Sequence, residues 1–180
     1  VPGATGAIYA IRKELFKPIP KSTFLDDVLI PMYIVMQGYR VVFEPGAIAY
    51  DRVSKNFDSE KRRKIRTLAG NWQLLMLEPA LLNPLKDPLW VRFLSHKIFR
   101  LLIPFCLITL LFLALFLQDI YSVFFLMGFF IFVLIACLPP ITGHLKIITG
   151  FTNAFRSLIF LNYFALIAPF KLVLSPKKLW

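Results

Sequence analysis

The rhythm of apolar and polar positions changes twice along this chain of 180 residues. Up to about residue 50, short apolar runs alternate with turn residues. Gly3-Ala4-Thr5-Gly6 precedes Ala7-Ile8-Tyr9-Ala10-Ile11-Arg12, which suits a buried strand entered from a glycine turn. Lys17-Pro18-Ile19-Pro20-Lys21-Ser22 is a loop by its prolines. Asp26 to Gln37 reads as a helix that tolerates Pro31 near its start and ends at Gly38. Tyr39 to Phe43 and Ala47 to Tyr50 read as strands either side of the Glu44-Pro45-Gly46 turn. A helix between strands in this order is α/β grammar.

The second rhythm is basic and then broken. Glu60-Lys61-Arg62-Arg63-Lys64-Ile65-Arg66 is a charged run on a helical pattern. Trp72 to Trp90 is rich in leucine but interrupted by Pro79, Pro84 and Pro88. Too short and broken to span a bilayer, residues 72–97 read as an interfacial segment or, equally, as a buried linker.

The third rhythm is almost charge-free. Apolar helices are expected at about 98–117, 120–140 and 156–174. Each approaches the roughly 20 residues that cross a hydrocarbon core of about 30 Å. Gln118-Asp119-Ile120 is all that separates the first two apolar runs, so they form an antiparallel hairpin. Pro169 and Lys171 weaken the third.

Composition turns this pattern into a location. The chain is 58% hydrophobic with 19 Phe, above the roughly 45–50% of soluble domains. Its net charge of +11 is uneven, with 16 of the 21 Lys and Arg residues in residues 1–100. This is a multi-pass protein of the cell (plasma or inner) membrane with a polar region attached. The positive-inside rule places residues 1–97 and the 139–156 loop in the cytoplasm, although Lys177 and Lys178 would then fall outside if the third run spans. Anionic headgroups or a phosphorylated substrate account for the basic cluster, so no nucleic acid is required. Cys106 and Cys137 lie in apolar runs and read as small buried hydrophobes. The chain begins Val-Pro-Gly-Ala rather than with Met, so a fragment or processed chain is expected.

Candidate chemistry centres on Asp26-Asp27, flanked by Leu25 and by Val28-Leu29-Ile30. Burial lifts a carboxylate toward general-base range. The competing reading makes Asp26 a helix cap and puts Asp27 in the first turn. Arg63, Arg66, Gly70 and Gln73 recur on one helical face, where two Arg above a Gly would make a tight anion site. No P-loop, Asp-x-Asp or metal-ligand spacing occurs.

Taken together, Gly3-Ala4-Thr5-Gly6-Ala7, Leu25-Asp26-Asp27, Gly38-Tyr39-Arg40-Val41, Arg63-Lys64-Ile65-Arg66-Thr67, Gly70 and Leu77-Glu78-Pro79 resemble the C-terminal part of a family 2 membrane-bound glycosyltransferase of the cellulose and hyaluronan synthase type. The resemblance implies that residues 1–71 are the end of a GT-A-like, Rossmann-type α/β catalytic domain, cytoplasmic in location, with 98–180 the transmembrane region. It implies an inverting transfer from a nucleotide-sugar donor to a glycan or lipid-linked acceptor, in bacterial extracellular polysaccharide or cell-envelope glycan synthesis. Asp27 would be the base with Asp26 beside it. Arg66, Arg63, Thr67, Gly3 and Gly6 would bind substrate or diphosphate. A divalent metal, Mg or Mn, would be held by ligands upstream of Val1, in the missing donor-binding half. Arg63 and Thr67 stand where the family's motif has Gln and Trp. The alternative is a non-enzymatic membrane anchor or interaction module whose basic helix binds anionic lipid.

Overall fold

The computed structural model describes residues 3–4, 6, 8–50, 56–117, 119–138 and 146–174. Ala7, the 139–145 part of the expected cytoplasmic loop, and Lys177 and Lys178 lie outside the described residues. The long helices among the described residues are α1 (Asp26–Met36), α2 (Phe57–Leu77), α3 (Trp90–Leu117), α4 (Ile120–Cys137) and α5 (Lys146–Leu174), with short 3-10 turns at Lys13–Leu15 and Pro79–Leu82. The chain divides into two compact units, one of residues 1–101 with 167–180 and the other of 102–166.

No strand forms among the described residues. The expected α/β class, a GT-A-like Rossmann-type portion in residues 1–71, is therefore corrected to an all-helical one. Tyr39–Phe43 and Ala47–Tyr50 have strand-like composition, but a strand exists only when a neighbour takes up its backbone N–H and C=O groups. Here Val42, Phe43 and Tyr50 are 85%, 84% and 96% exposed. Apart from the turn bonds from Tyr39 N–H to the Ile34 carbonyl and from Ala47 N–H to the Glu44 carbonyl, these segments form no ladder among the described residues.

In the first unit, α1 begins at Asp26, so both acids lie in its first turn, where the helix dipole favours negative charge. It ends at Gly38, whose φ of +86° suits a residue without Cβ. Gly38 N–H donates to Val35 O at 2.9 Å and Tyr39 N–H to Ile34 O at 3.2 Å, closing the helix in a Schellman arrangement. Asn56 caps α2, its side chain accepting from Asp58 N–H, and Glu60 pairs with Lys64 at 2.9 Å one turn on.

The core of this unit joins three helices. Leu25, Val28, Leu29 and Met32 of the α1 region meet Leu74 of α2, Leu81 of the following turn, and Phe93 and Ile98 of α3. α2 is buried from Leu68 to Asn71 because α1 comes close there. A Cβ on Gly70 would stand 2.6 Å from Leu25 Cγ and 3.1 Å from Phe24 Cβ. Beside it Gln73 accepts from Phe24 N–H at 2.8 Å and donates to Ser22 O at 2.7 Å. One side chain thus ties down both sides of the turn that leads into α1.

The second unit contains most of the long apolar helices. Three helices are long and apolar enough to cross a membrane: Trp90–Leu117, Ile120–Cys137 and Thr149–Leu174. Asp119 caps α4, accepting from Ser122 N–H at 2.8 Å. α4 and α5 meet through the Phe132 and Phe155 rings, with centroids 4.8 Å apart. Arg156 of α5 donates to Ala136 O and Leu138 O at the end of α4. Those carbonyls lack helical partners, so the guanidinium satisfies them while satisfying itself. Cys106 and Cys137, expected to be buried, are exposed on these helices.

Gly70→Ala should destabilise the protein. The gain in helix propensity, about 1 kcal/mol, is outweighed by overpacking of about 1–3 kcal/mol, because the atom in the way is the branch point of a buried leucine. Thermal unfolding in detergent micelles should give a lower midpoint than wild type; an unchanged or higher one would show that α1 is free to back away.

Candidate functional site

Pro31 organises the site. It lies inside α1 and has no N–H, so the carbonyl four residues earlier, that of Asp27, loses its helical donor. Ala4 N–H fills the vacancy, donating to Asp27 O at 2.8 Å. The glycine segment is thereby laid across the start of α1. A Cβ on Gly3 would lie 3.8 Å from Asp27 O, and one on Gly6 would lie 3.6 Å from Asp27 Oδ2. Gly6 has φ +72°, the left-handed region that a β-carbon disfavours. Gly3 and Gly6, expected to bind substrate, are gathered around Asp27 through a main-chain bond.

Asp27 is half-buried and Asp26 is exposed. The residue before the helix is Leu25, and no side chain caps α1, so Asp26 is not the cap that its position suggested. Burial and then the charge of Asp26 hold the Asp27 carboxyl above its ordinary value of 3.8, against the opposing pull of Lys97 and Arg66. Two cations from distant parts of the chain thus act on one carboxylate: Arg66 from α2 and Lys97 from α3. Lys97 sits in a widened turn of α3, Leu94–Ile98, where the helix takes π geometry.

The remaining candidates on α2 separate. Arg63, Arg66 and Thr67 are exposed. Thr67 Oγ1 donates to Arg63 O at 3.0 Å, so its hydroxyl is spent on its own helix. Gly70 and Gln73 hold the Ser22–Leu25 turn rather than an anion. The close approach at Gly70 is filled by Leu25. The sequence did not show the nearness of Lys97 to Asp27, the tie from Gln73 to Ser22 and Phe24, or the use made of Pro31. Only Pro31 left a local signal, since a proline beyond the first helical turn always frees one carbonyl.

Two substitutions test this geometry. Pro31→Ala restores a helical donor to the Asp27 carbonyl and should release the glycine segment, with hydrogen exchange at the Ala4 amide faster than in wild type; unchanged protection would mean that the segment is held by something else. Asp27→Asn tests the electrostatics. Between its ordinary value and its raised one the folded protein holds the extra proton, so Asp27 lowers stability as pH rises through that window. The variant should unfold at a higher temperature than wild type near pH 7 and lose the advantage below pH 3.8. An advantage that persists in acid would exclude a titration effect.

The transfer chemistry implied by resemblance does not follow from these residues. A cellulose or hyaluronan synthase-like catalytic portion needs a sheet to carry its acids, and none forms among the described residues. No group of three or more His, Cys, Asp or Glu side chains among them is placed to hold a metal ion, so none is assigned to the divalent cation. The expectations of an inverting glycosyltransferase, of a nucleotide-sugar donor and of a glycan or lipid-linked acceptor are corrected accordingly. What these residues build is an all-helical, membrane-directed unit. No curated protein and no solved structure matches the chain. The family described as "Glycosyl transferase family group 2" matches residues 3–142. On that match, which takes in the glycine segment, α1, α2, α3 and α4, the chain belongs to glycosyl transferase family group 2.

Proposed function

We propose that this chain is a membrane anchor and interaction module whose basic helix binds anionic lipid. The observation that carries the reading is the first half of α2. Arg62, Arg63, Lys64 and Arg66 are exposed there, with Lys61 partly so, while Ile65, Leu68, Ala69 and Gly70 are buried. Among the described residues, only Lys64 on this stretch has an ion-pair partner within salt-bridge distance, Glu60. The burial of Leu74 fixes α2 in the same core as Phe93 and Ile98, at the beginning of a helix long and apolar enough to cross a membrane. A cationic face held beside the root of a membrane helix attracts anionic headgroups, at about 1 kcal/mol per basic residue close to the surface.

The charge distribution supports an orientation. Lys97 and Arg100 lie near the start of α3, whereas Asp119 stands in the short turn between α3 and α4. By the positive-inside rule, α1 and α2 face the cytoplasm of a plasma or inner membrane. Asp119 is held below its ordinary range by the Ser122 hydrogen bonds, so it carries its charge into that opposite turn.

Lys61→Ala/Arg62→Ala/Arg63→Ala leaves the buried face of α2 intact and tests the reading. In the full chain, native mass spectrometry with added phosphatidylglycerol and phosphatidylcholine should show wild type retaining the anionic lipid preferentially. The triple variant should lose affinity by about fivefold per charge removed, with little change for the zwitterionic lipid. Equal retention of both lipids by wild type would overturn the proposal.

A further inference from the structure

A second contact with the bilayer lies outside α2, in the turn that feeds the first membrane helix. Residues 83–89 are shaped by their own hydrogen bonds. Asn83 Oδ1 accepts from Leu85 N–H at 2.9 Å, and Asn83 O accepts from Lys86 and Asp87 N–H at 3.1 and 3.0 Å. Asp87 Oδ1 accepts from Leu89 N–H at 2.8 Å, and Asp87 O accepts from Trp90 N–H at 3.1 Å. Pro84 and Pro88 stiffen both arms. Asp87 is 1% exposed, and its Oδ2 has no hydrogen-bond partner among the described residues. Burying a carboxylate oxygen in this way is costly, so the fold sustains a penalty to keep the turn in one shape.

The shape so maintained points an apolar side chain away from the protein. Leu85 is 94% exposed, with exposed Lys86 next to it. The following helix, Trp90–Leu117, has 28 residues. That makes it about 42 Å long, the thickness of a bilayer counted with its headgroup layers, about 40–45 Å. Trp90 then falls at headgroup level, the depth that tryptophan favours. Leu85 is five residues away, at most about 17 Å even if the chain were extended, and closer in the turn observed.

We propose that the 83–89 turn is a membrane-inserting tip that seats Leu85 at the headgroup–acyl boundary of a phospholipid bilayer and Lys86 on the lipid phosphates. The occupant is a lipid surface because the turn is continuous with a membrane-crossing helix. Its order before contact means that little conformational freedom is lost on insertion. Apolar burial drives this contact, so it persists in zwitterionic membranes, unlike headgroup binding by α2.

The test places a nitrobenzoxadiazole probe on Leu85→Cys in a Cys106→Ala/Cys137→Ala background, with the full chain reconstituted in phosphatidylcholine vesicles. The same probe on Leu110→Cys, within α3, reports that the chain is inserted. Phospholipid carrying a doxyl group near the headgroup should quench the Leu85 probe roughly twofold or more, with aqueous iodide much less effective, as befits a side chain at the acyl boundary. Iodide quenching equal to that of free dye, with no doxyl quenching while the Leu110 probe is quenched by lipid, would overturn the proposal. Loss of anionic-lipid preference in the α2 variant with the Leu85 signal unchanged would separate the two contacts.

Discussion

The close approach of Leu25 to α2 at Gly70 is the contact on which the first unit depends. Gly70 brings the backbones near enough for Leu25, Leu29 and Leu74 to share one apolar core with Phe93 and Ile98. Gln73 then fixes the angle of entry by holding Ser22 and Phe24. Phe93 and Ile98 belong to a helix long and apolar enough to cross a membrane, so this core also holds the start of that helix. A side chain larger than hydrogen at position 70 acts at once on α1, on the exposed basic face of α2 and on the root of α3.

The helices were legible, whereas the strands expected from the sequence do not form among the described residues, for a reason that lies in how each is satisfied. Asp26 to Gln37 and the long apolar runs carry their hydrogen-bond partners within the segment, so periodicity suffices to find them. Tyr39–Phe43 and Ala47–Tyr50 have the composition of strands, but a strand's partners are elsewhere in the chain, and no described segment supplies them. The same division runs through the site. Asp27 and the glycines stood out as separate short segments. That Ala4 would bond the Asp27 carbonyl depends on Pro31, and the nearness of Lys97 depends on the fold of the whole unit.

Family membership and local chemistry are separate properties here. The family relationship covers residues from the glycine segment through α4. Within it, the Asp27 carboxylate feels the charges of Asp26, Lys97 and Arg66. The same unit exposes a cationic helix face on α2 and an apolar turn tip at Leu85. Charge and apolar area are thus offered to a membrane from separate, independently ordered elements.

Arg156 carries a consequence for how the protein is made. Until α4 is present, the guanidinium in the early part of α5 has only water and headgroups as acceptors. The acceptors it uses are the terminal carbonyls of α4, at Ala136 and Leu138. They come into being only once α4 is complete, and α4 leaves the ribosome first. A single side chain therefore closes a contact between the two helices whose acceptors are made before its donor.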